Sequence, residues 1–245
     1  IVPAVMASDY ADFEEKITRV KGLVSRVQID VMDGKFTDSI SWPYRKGGSE
    51  HGNLDKKFIE IKSEADGLPC WESFDFEVDL MVSDPAKAVD DWASAGASRV
   101  ILHLREDNAS AIHEAVEVAV KRGLEVSIAV LPKPLTAILD DFIFDKHKKA
   151  DGSNIITGVQ CMGIDHVGHQ REAFNPEVVS LVRSLRTEID SLNLDMKVSV
   201  DGGVSFETAG ELFDAGADYL VAGSAIYDAD SVIQALDRFA DISGE

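Results

Sequence analysis

The alternation of short apolar runs with longer amphipathic segments is the feature of this sequence that most limits how it can fold. Each apolar run is typical of a buried strand, and segments with the 3.6-residue period of a helix separate the runs. Strands that alternate with helices form a parallel sheet, and eight such units close into a barrel. We therefore predict an α/β fold, a parallel eight-stranded (β/α)8 TIM barrel. The predicted strands are Ile1–Met6, Arg26–Met32, Phe76–Met81, Ser98–Leu104, Glu125–Leu131, Ile155–Met162, Lys197–Val200 and Tyr219–Ala222.

The connections between these segments favour a closed barrel over the alternative, an open doubly wound sheet. An open sheet of that kind usually carries a glycine-rich fingerprint after its first strand, and the residues Met6–Asp9 do not resemble one. We predict a single domain over residues 1–245, with a longer loop at about 37–53. Within that loop, the segment Ser41–Asn53 has two readings of equal weight: a lid or oligomer contact, and a disordered excursion.

The strong negative charge of the chain limits its partners. Its 44 acidic and 24 basic residues give a formal net charge of −20, which repels nucleic acids and anionic membrane surfaces. No apolar run approaches the ~20 residues needed to span a bilayer. A site for an anionic phosphate would have to be local and built from backbone N–H donors. We therefore expect a small-molecule ligand, with neither nucleic acid nor membrane as a partner.

Cysteine usage and the start of the chain bear on its compartment. Cys70 and Cys161 have no metal-binding spacing and cannot form a disulfide framework, which fits a reducing cytoplasm. The sequence opens at Ile1 in a strand-like segment, with neither Met nor a signal-peptide pattern, and this is compatible with a removed N-terminal segment. We expect a cytoplasmic protein that forms a homo-oligomer.

Three aspartates occupy the positions where such a barrel concentrates its functional side chains, at the ends of strands. Asp30, Asp79 and Asp201 stand near the ends of the second, third and seventh predicted strands, and we expect them to converge on one mouth. Acids at the ends of apolar strands are costly without a partner, so a cation, a shared proton or a substrate should lie nearby. The alternative is that one or two of them only cap loops.

Glycines after the last two strands predict a phosphate site. Gly202 and Gly203 follow the seventh strand, and Gly223 and Ser224 follow the eighth. Such barrels often bind phosphate at these two strands, because glycine lets backbone N–H groups approach the anion. The short helix expected after Ser224 adds a favourable dipole. Gly168, in the loop after the sixth strand, is a candidate for a third donor.

Several longer motifs occur in order along nearly the whole chain. They are Asp30-Val31-Met32-Asp33-Gly34, Leu80-Met81-Val82 followed by Pro85, Ala95-Gly96-Ala97, His103, Val200-Asp201-Gly202-Gly203-Val204, and the stretch from Ala215 to Ile226. With these motifs the sequence resembles the ribulose-phosphate 3-epimerase family. The resemblance implies a (β/α)8 barrel, a phosphate site and a small phosphorylated sugar as substrate.

The resemblance also implies roles for individual residues. Asp30 and Asp201 fall on the two aspartates that act as paired acid and base at C3 of a ketose 5-phosphate, of the ribulose 5-phosphate and xylulose 5-phosphate type. One removes the proton beside the carbonyl, and the other returns a proton to the opposite face of the enediolate. Met32, Met81 and Met162 match methionines that line the site, although the residues alone would suggest ordinary barrel filling.

The metal site that the resemblance implies is altered in this chain. Gln28 and Asp79 stand where the family has two histidines, so the implied ligands of a divalent metal ion become Gln28, Asp30, Asp79 and Asp201. A set of oxygen ligands favours Mg²⁺ or Mn²⁺ over Zn²⁺. A metal-free state is the alternative. In the shortened loop after the sixth strand, His166 and His169 are candidates for new ligands or phosphate contacts, or are ordinary polar loop residues.

Three functions follow from these expectations. The first is a sugar-phosphate 3-epimerase, an isomerase that uses Asp30 and Asp201. The second is a related barrel enzyme with a different phosphorylated substrate, aldolase-like or decarboxylating. The decarboxylating form is disfavoured because Met32 stands where an Asp-x-Lys-x-x-Asp arrangement needs lysine. The third is a non-catalytic barrel that binds a sugar phosphate.

Overall fold

Eight parallel strands close into a barrel in the computed structural model, which describes residues 1–46, 53–133, 140–149, 151–169 and 171–244. Each strand forms hydrogen bonds with the next one in the chain, and the eighth pairs with the first. The predicted (β/α)8 barrel is therefore confirmed. The strands are β1 Val2–Val5, β2 Arg26–Met32, β3 Asp75–Met81, β4 Arg99–His103, β5 Glu125–Val130, β6 Ile156–Met162, β7 Lys197–Asp201 and β8 Tyr219–Ala222.

Amphipathic helices surround the strands and cover their outward-facing side chains. The start and end of the third helix illustrate the local signals: Asp84 caps its N-terminus, proline occupies its first position, and Gly96 ends it at a φ of 101°. None of the described helices has the length and apolar composition needed to cross a membrane. The helices are α1 Tyr10–Arg19, α2 Lys56–Lys62, α3 Pro85–Ala95, α4 Ala109–Arg122, α5 Glu177–Ser191, α6 Ala209–Asp214, α7 Ser224–Tyr227 and α8 Val232–Ser243, with a 3₁₀ turn at Trp71–Ser73 and a π-helical turn at Asp141–Lys146.

The register of the strands sets polar side chains at matching heights inside the barrel. Asp30 on β2 pairs with Asp79 on β3, and Met162 on β6 pairs with Asp201 on β7. Alternate residues of a strand face opposite sides, so the residues flanking Asp30 are free to pack outward under the helices. Both of these neighbours, Ile29 and Val31, are buried in the hydrophobic core.

The segment after β2 begins in the core rather than at the surface. Trp42 is 2% exposed and stacks on Phe13 with ring centroids 4.5 Å apart, while Trp92 meets it edge-on. Beside it, the Ser41 hydroxyl donates a hydrogen bond to the carbonyl oxygen of Asp30 at 2.7 Å. The start of this segment is therefore no disordered excursion, because Ser41 and Trp42 are buried. The other reading, a lid or oligomer contact, stays a prediction. Residues 47–52, to which the same prediction applied, lie outside the described residues.

A buried ion cluster fills the barrel interior toward the N-terminal ends of the strands. Arg99 Nη1 lies 3.5 Å from Glu77 Oε2 and donates to the Tyr219 hydroxyl at 3.0 Å. Its Nε donates to Glu125 at 2.9 Å. Burial raises the pKa of Glu77 to about 7, against the opposing effect of the neighbouring arginines. These contacts occupy the end of the barrel opposite to the mouth described next.

Candidate active site

A cavity of about 440 Å³ opens at the C-terminal ends of the strands. Three of the acidic side chains that line it lie close together, and we refer to Asp30, Asp79 and Asp201 as the carboxylate cluster. Another part of the lining comes from the loops after β7 and β8, and we refer to Gly202, Gly203, Gly223 and Ser224 as the glycine wall. The cavity thus brings together the acids and the glycines that the sequence places at strand ends.

The carboxylate cluster is close-packed and largely removed from solvent. One carboxylate oxygen from each member lies within 4.8 Å of the others. Asp79 is fully buried and Asp30 is 9% exposed. The matched register of β2 and β3 places two of the three side chains next to each other, and β7 contributes the third from across the barrel. Their roles as acid, base and metal ligands stay predictions.

Gln28 connects two members of this cluster. Its side-chain amide nitrogen donates to Asp30 Oδ1 at 2.8 Å and to Asp201 Oδ2 at 2.7 Å. The amide is fully buried, and its oxygen has no hydrogen-bond partner among the described residues. The two N–H groups of one amide therefore hold the two proposed catalytic carboxylates in a fixed relation.

Two further polar residues contact the cluster, and the sequence reasoning assigned neither to it. His103 Nε2 lies 2.6 Å from Asp79 Oδ1. The Gln160 amide donates to Asp79 and Asp201 over longer distances of 3.5 and 3.4 Å. Gln160 could have been found, because it is a large polar residue in an otherwise apolar strand and shares the face of Met162, two residues later.

Burial and mutual repulsion raise the pKa values of Asp30 and Asp201. Loss of solvation, and then the charge of Asp79, raise the pKa of Asp30 to about 7 from an ordinary value of 3.8. The pKa of Asp201 is raised well above its ordinary value, first by burial and then by the charges of Asp30 and Asp79. Carboxylates this close cannot all ionise in a dry site without a cation, so a proton is held within the cluster near neutral pH.

The raised pKa of Asp30 predicts how the metal-free protein responds to pH. The folded state binds a proton that the unfolded state has already lost, so the free energy of unfolding falls as pH rises from 3.8 to about 7. Urea denaturation in the presence of a chelator measures this slope. We expect Asp30→Asn to flatten it, whereas Asp195→Asn, at an exposed site before β7, should leave it unchanged. Equal slopes for wild type and Asp30→Asn would contradict the predicted shift.

The residues present fit a hard divalent cation. Three carboxylates converge, and the unpartnered oxygen of Gln28 becomes a fourth ligand if its amide rotates by half a turn. Mg²⁺ and Mn²⁺ prefer such oxygen ligands, and a cation would relieve the repulsion that raises the pKa values of Asp30 and Asp201. His103 holds one oxygen of Asp79 and so orients that side chain from outside the ligand set.

Metal addition should therefore stabilise the folded chain. At a Mn²⁺ concentration one hundred times Kd, the free energy of unfolding should rise by about 2.7 kcal/mol. Calorimetric titration supplies Kd, and denaturation with and without the ion supplies the stability change. Asp79→Asn should reduce both effects, and Asp165→Asn, on the same rim but outside the cluster, should not. Stoichiometric zinc in the purified protein, found by elemental analysis, would contradict the hard-ion assignment.

Two residues of the glycine wall have backbone conformations that favour glycine. Gly202 and Gly203 have φ values of 94° and 66°. A Cβ atom on Gly203 would lie 2.9 Å from the Phe174 backbone, and one on Gly202 would lie 2.8 Å from Ile164. Larger residues are therefore excluded by strain and by contact, and the main chain stays accessible to a ligand. Gly168 lines the same cavity.

The methionines and histidines named from the sequence take different positions. Met81 and Met162 line the cavity together with Met6, which the sequence reasoning missed. Met32 is fully buried and is not part of the lining. His169 is exposed at the rim of the cavity. His166 pairs instead with Glu172, with Nδ1 2.7 Å from the carboxylate, and its ring is largely exposed.

Sequence comparisons relate the chain to one family of enzymes. The family model described as the ribulose-phosphate 3 epimerase family matches residues 61–227. A ribulose-phosphate 3-epimerase from Schizosaccharomyces pombe is 30% identical over 94% of this chain and 88% of its own length. One from Mycobacterium bovis is 28% identical over 98% of this chain and 92% of its own length.

Comparison with solved structures relates the chain to other barrels. The crystal structure of a 3-hexulose-6-phosphate synthase has a TM-score of 0.58 and 17% sequence identity, and the match covers 99% of both chains. At a sequence identity of 17%, this comparison shows a similarity of fold and nothing about function.

Proposed function

The chain belongs to the ribulose-phosphate 3-epimerase family, and on this premise we propose that it epimerises C3 of a ketose 5-phosphate. The observation that carries the proposal is the placement of Asp30 and Asp201, which face one cavity and are joined through the Gln28 amide. A pair of carboxylates with raised pKa values provides one proton acceptor and one proton donor near neutral pH.

The proposed reaction moves two protons. The ionised aspartate takes the C3 proton, and the electron pair left behind delocalises onto the C2 carbonyl oxygen to give an enediolate. The protonated aspartate then delivers its proton to the opposite face of C3, which inverts that centre. The pair ends with the proton on the other carboxyl, and the reverse reaction or exchange with water restores it.

Other residues position the substrate in this proposal. The glycine wall binds the phosphate through backbone N–H groups, and Gly168 adds a donor from the loop after β6. Met81 and Met162 give an apolar surface beside the reacting carbons, which excludes water from the enediolate. A divalent cation, when bound by the carboxylate cluster, would polarise the substrate oxygens and stabilise their negative charge.

The proposal is tested by exchange at C3. Protein stripped of metal, and protein loaded with Mg²⁺ or Mn²⁺, is incubated with ribulose 5-phosphate in D₂O, and deuterium at C3 is followed by NMR. We expect metal-dependent exchange and formation of xylulose 5-phosphate. Binding of the sugar phosphate without exchange in any metal state would overturn the proposal in favour of a non-catalytic barrel. A product with a changed number of carbons would point to a different reaction.

Cytoplasmic location, homo-oligomerisation and a single-domain organisation stay predictions.

A further inference from the structure

The cavity lining has a charge imbalance that a phosphorylated substrate would have to overcome. Five acidic residues line it: Asp30, Asp79, Glu172, Asp201 and Asp228. Among the described lining residues, Arg171 is the one arginine or lysine. The whole chain carries a formal net charge of −20, so its overall field also repels an approaching anion. A dianionic phosphate that enters this cavity therefore has one obvious positive partner.

That partner is positioned beside the glycine wall. Arg171 follows the loop after β6 and has a left-handed backbone, with φ at 60°. Its Nε and Nη2 atoms donate to the same oxygen of Asp228, at 3.1 and 2.7 Å. Asp228 directly follows α7, the short helix that starts at Ser224. The guanidinium group is thus held on the side of the cavity where the phosphate is proposed to bind.

The ion pair between Arg171 and Asp228 can be replaced by a contact with phosphate at little cost in stability. The Arg171 and Asp228 side chains are 69% and 50% exposed, and an exposed ion pair contributes little to stability. Only one oxygen of Asp228 is used. A phosphate offers several oxygens to the fork of N–H groups on a guanidinium. Two parallel charge-assisted hydrogen bonds to two phosphate oxygens are stronger than the present contact with a single oxygen of Asp228.

We propose that Arg171 is a phosphate-binding residue that sets specificity for phosphorylated substrates. In this proposal, Asp228 accepts the hydrogen bonds of the Arg171 guanidinium until the phosphate displaces its carboxylate. This inference rests on the proposed function only in taking the natural ligand to be a phosphate ester. The competing explanation is that the pair is a structural tie between the β6 loop and α7.

The two explanations predict different signs for one substitution, Asp228→Asn. If Arg171 binds phosphate, Arg171→Gln should weaken binding of inorganic phosphate by about tenfold or more. Asp228→Asn should strengthen it, because it removes both a competitor for the guanidinium and a repulsive charge. If the pair is only a structural tie, both substitutions should weaken binding. Calorimetric titration with inorganic phosphate, at constant ionic strength, measures whether each substitution raises or lowers Kd.

Matched controls come from a salt bridge on α5 between Arg186, which is 25% exposed, and Asp190, which is 66% exposed. Arg186 also contacts Asp218, which immediately precedes β8 at the end of the barrel away from the mouth. Arg186→Gln and Asp190→Asn make the same changes in net charge and should leave phosphate binding unchanged. An effect of these controls as large as that of the matching mouth variants would overturn the proposal, because it would show a general charge effect.

Turnover separates this inference from the proposed function. With ribulose 5-phosphate, Arg171→Gln should raise KM by about the same factor as the phosphate Kd while kcat changes little. If Arg171→Gln weakens phosphate binding and Asp228→Asn strengthens it, but the wild-type protein does not turn over ribulose 5-phosphate, the role of Arg171 is supported and the epimerase proposal is overturned. Wild-type protein that binds no phosphate at millimolar concentration, or an unchanged Kd for Arg171→Gln, would overturn the inference whatever the turnover.

Discussion

Replacing Asp201 or Asp30 with asparagine is expected to lower kcat for the interconversion of ribulose 5-phosphate and xylulose 5-phosphate by about 10²–10⁴-fold, the usual contribution of a positioned acid or base. Asparagine keeps the shape of the side chain, and its carbonyl oxygen still accepts a hydrogen bond from Gln28. It cannot take up or release a proton in the reaction. The loss should therefore appear in kcat, measured by coupled assay, rather than in folding.

The two variants should also differ from each other. In a two-base reaction, each aspartate removes the C3 proton from one epimer only, so each variant should still exchange deuterium into one epimer and lose exchange into the other. The two variants should show opposite preferences. The Asp165 carboxylate lies on the same rim and accepts a hydrogen bond from Asn175. The control variant Asp165→Asn should retain full activity. Interconversion at the wild-type rate in either cluster variant would exclude the two-aspartate reaction.

Replacing Trp42 with alanine is expected to lower the free energy of unfolding by about 3–5 kcal/mol, the usual cost of deleting a large buried aromatic side chain. Trp42 is 2% exposed and contacts Phe13, Phe58 and Trp92, which belong to three different helices. Removal of the indole leaves a cavity that these three rings cannot jointly fill. Chemical denaturation monitored by circular dichroism measures the change.

Trp71→Ala is the matched control. Trp71 is 63% exposed, and surface substitutions usually change stability by no more than about 0.5 kcal/mol. The Trp42 variant should also bind metal less well, because adjacent Ser41 is hydrogen-bonded to the backbone of Asp30. Similar stabilities for the two tryptophan variants would contradict the assignment of the segment after β2 to the core.

The sequence alone determined the barrel and the positions of the strand ends. Apolar runs and helical periodicity are local patterns, and the chirality of β-α-β connections leaves few ways to arrange eight of them. Asp30, Asp79 and Asp201 could be placed at one mouth for the same reason, since parallel strands end on the same side. The family resemblance added acid and base roles for Asp30 and Asp201, but it could not show how Gln28 would be accommodated.

Only the tertiary structure decided which side chains touch. The Gln28 amide reaches a carboxylate 173 positions away, and Arg171 meets a partner 57 positions later. Trp42 lies in a segment with loop-like composition, yet it is buried because aromatic rings from three helices surround it. Such contacts depend on strand register, burial and rotamer choice, which are properties of the closed barrel. The sequence therefore determined where the site would form, and packing determined how its charges are held.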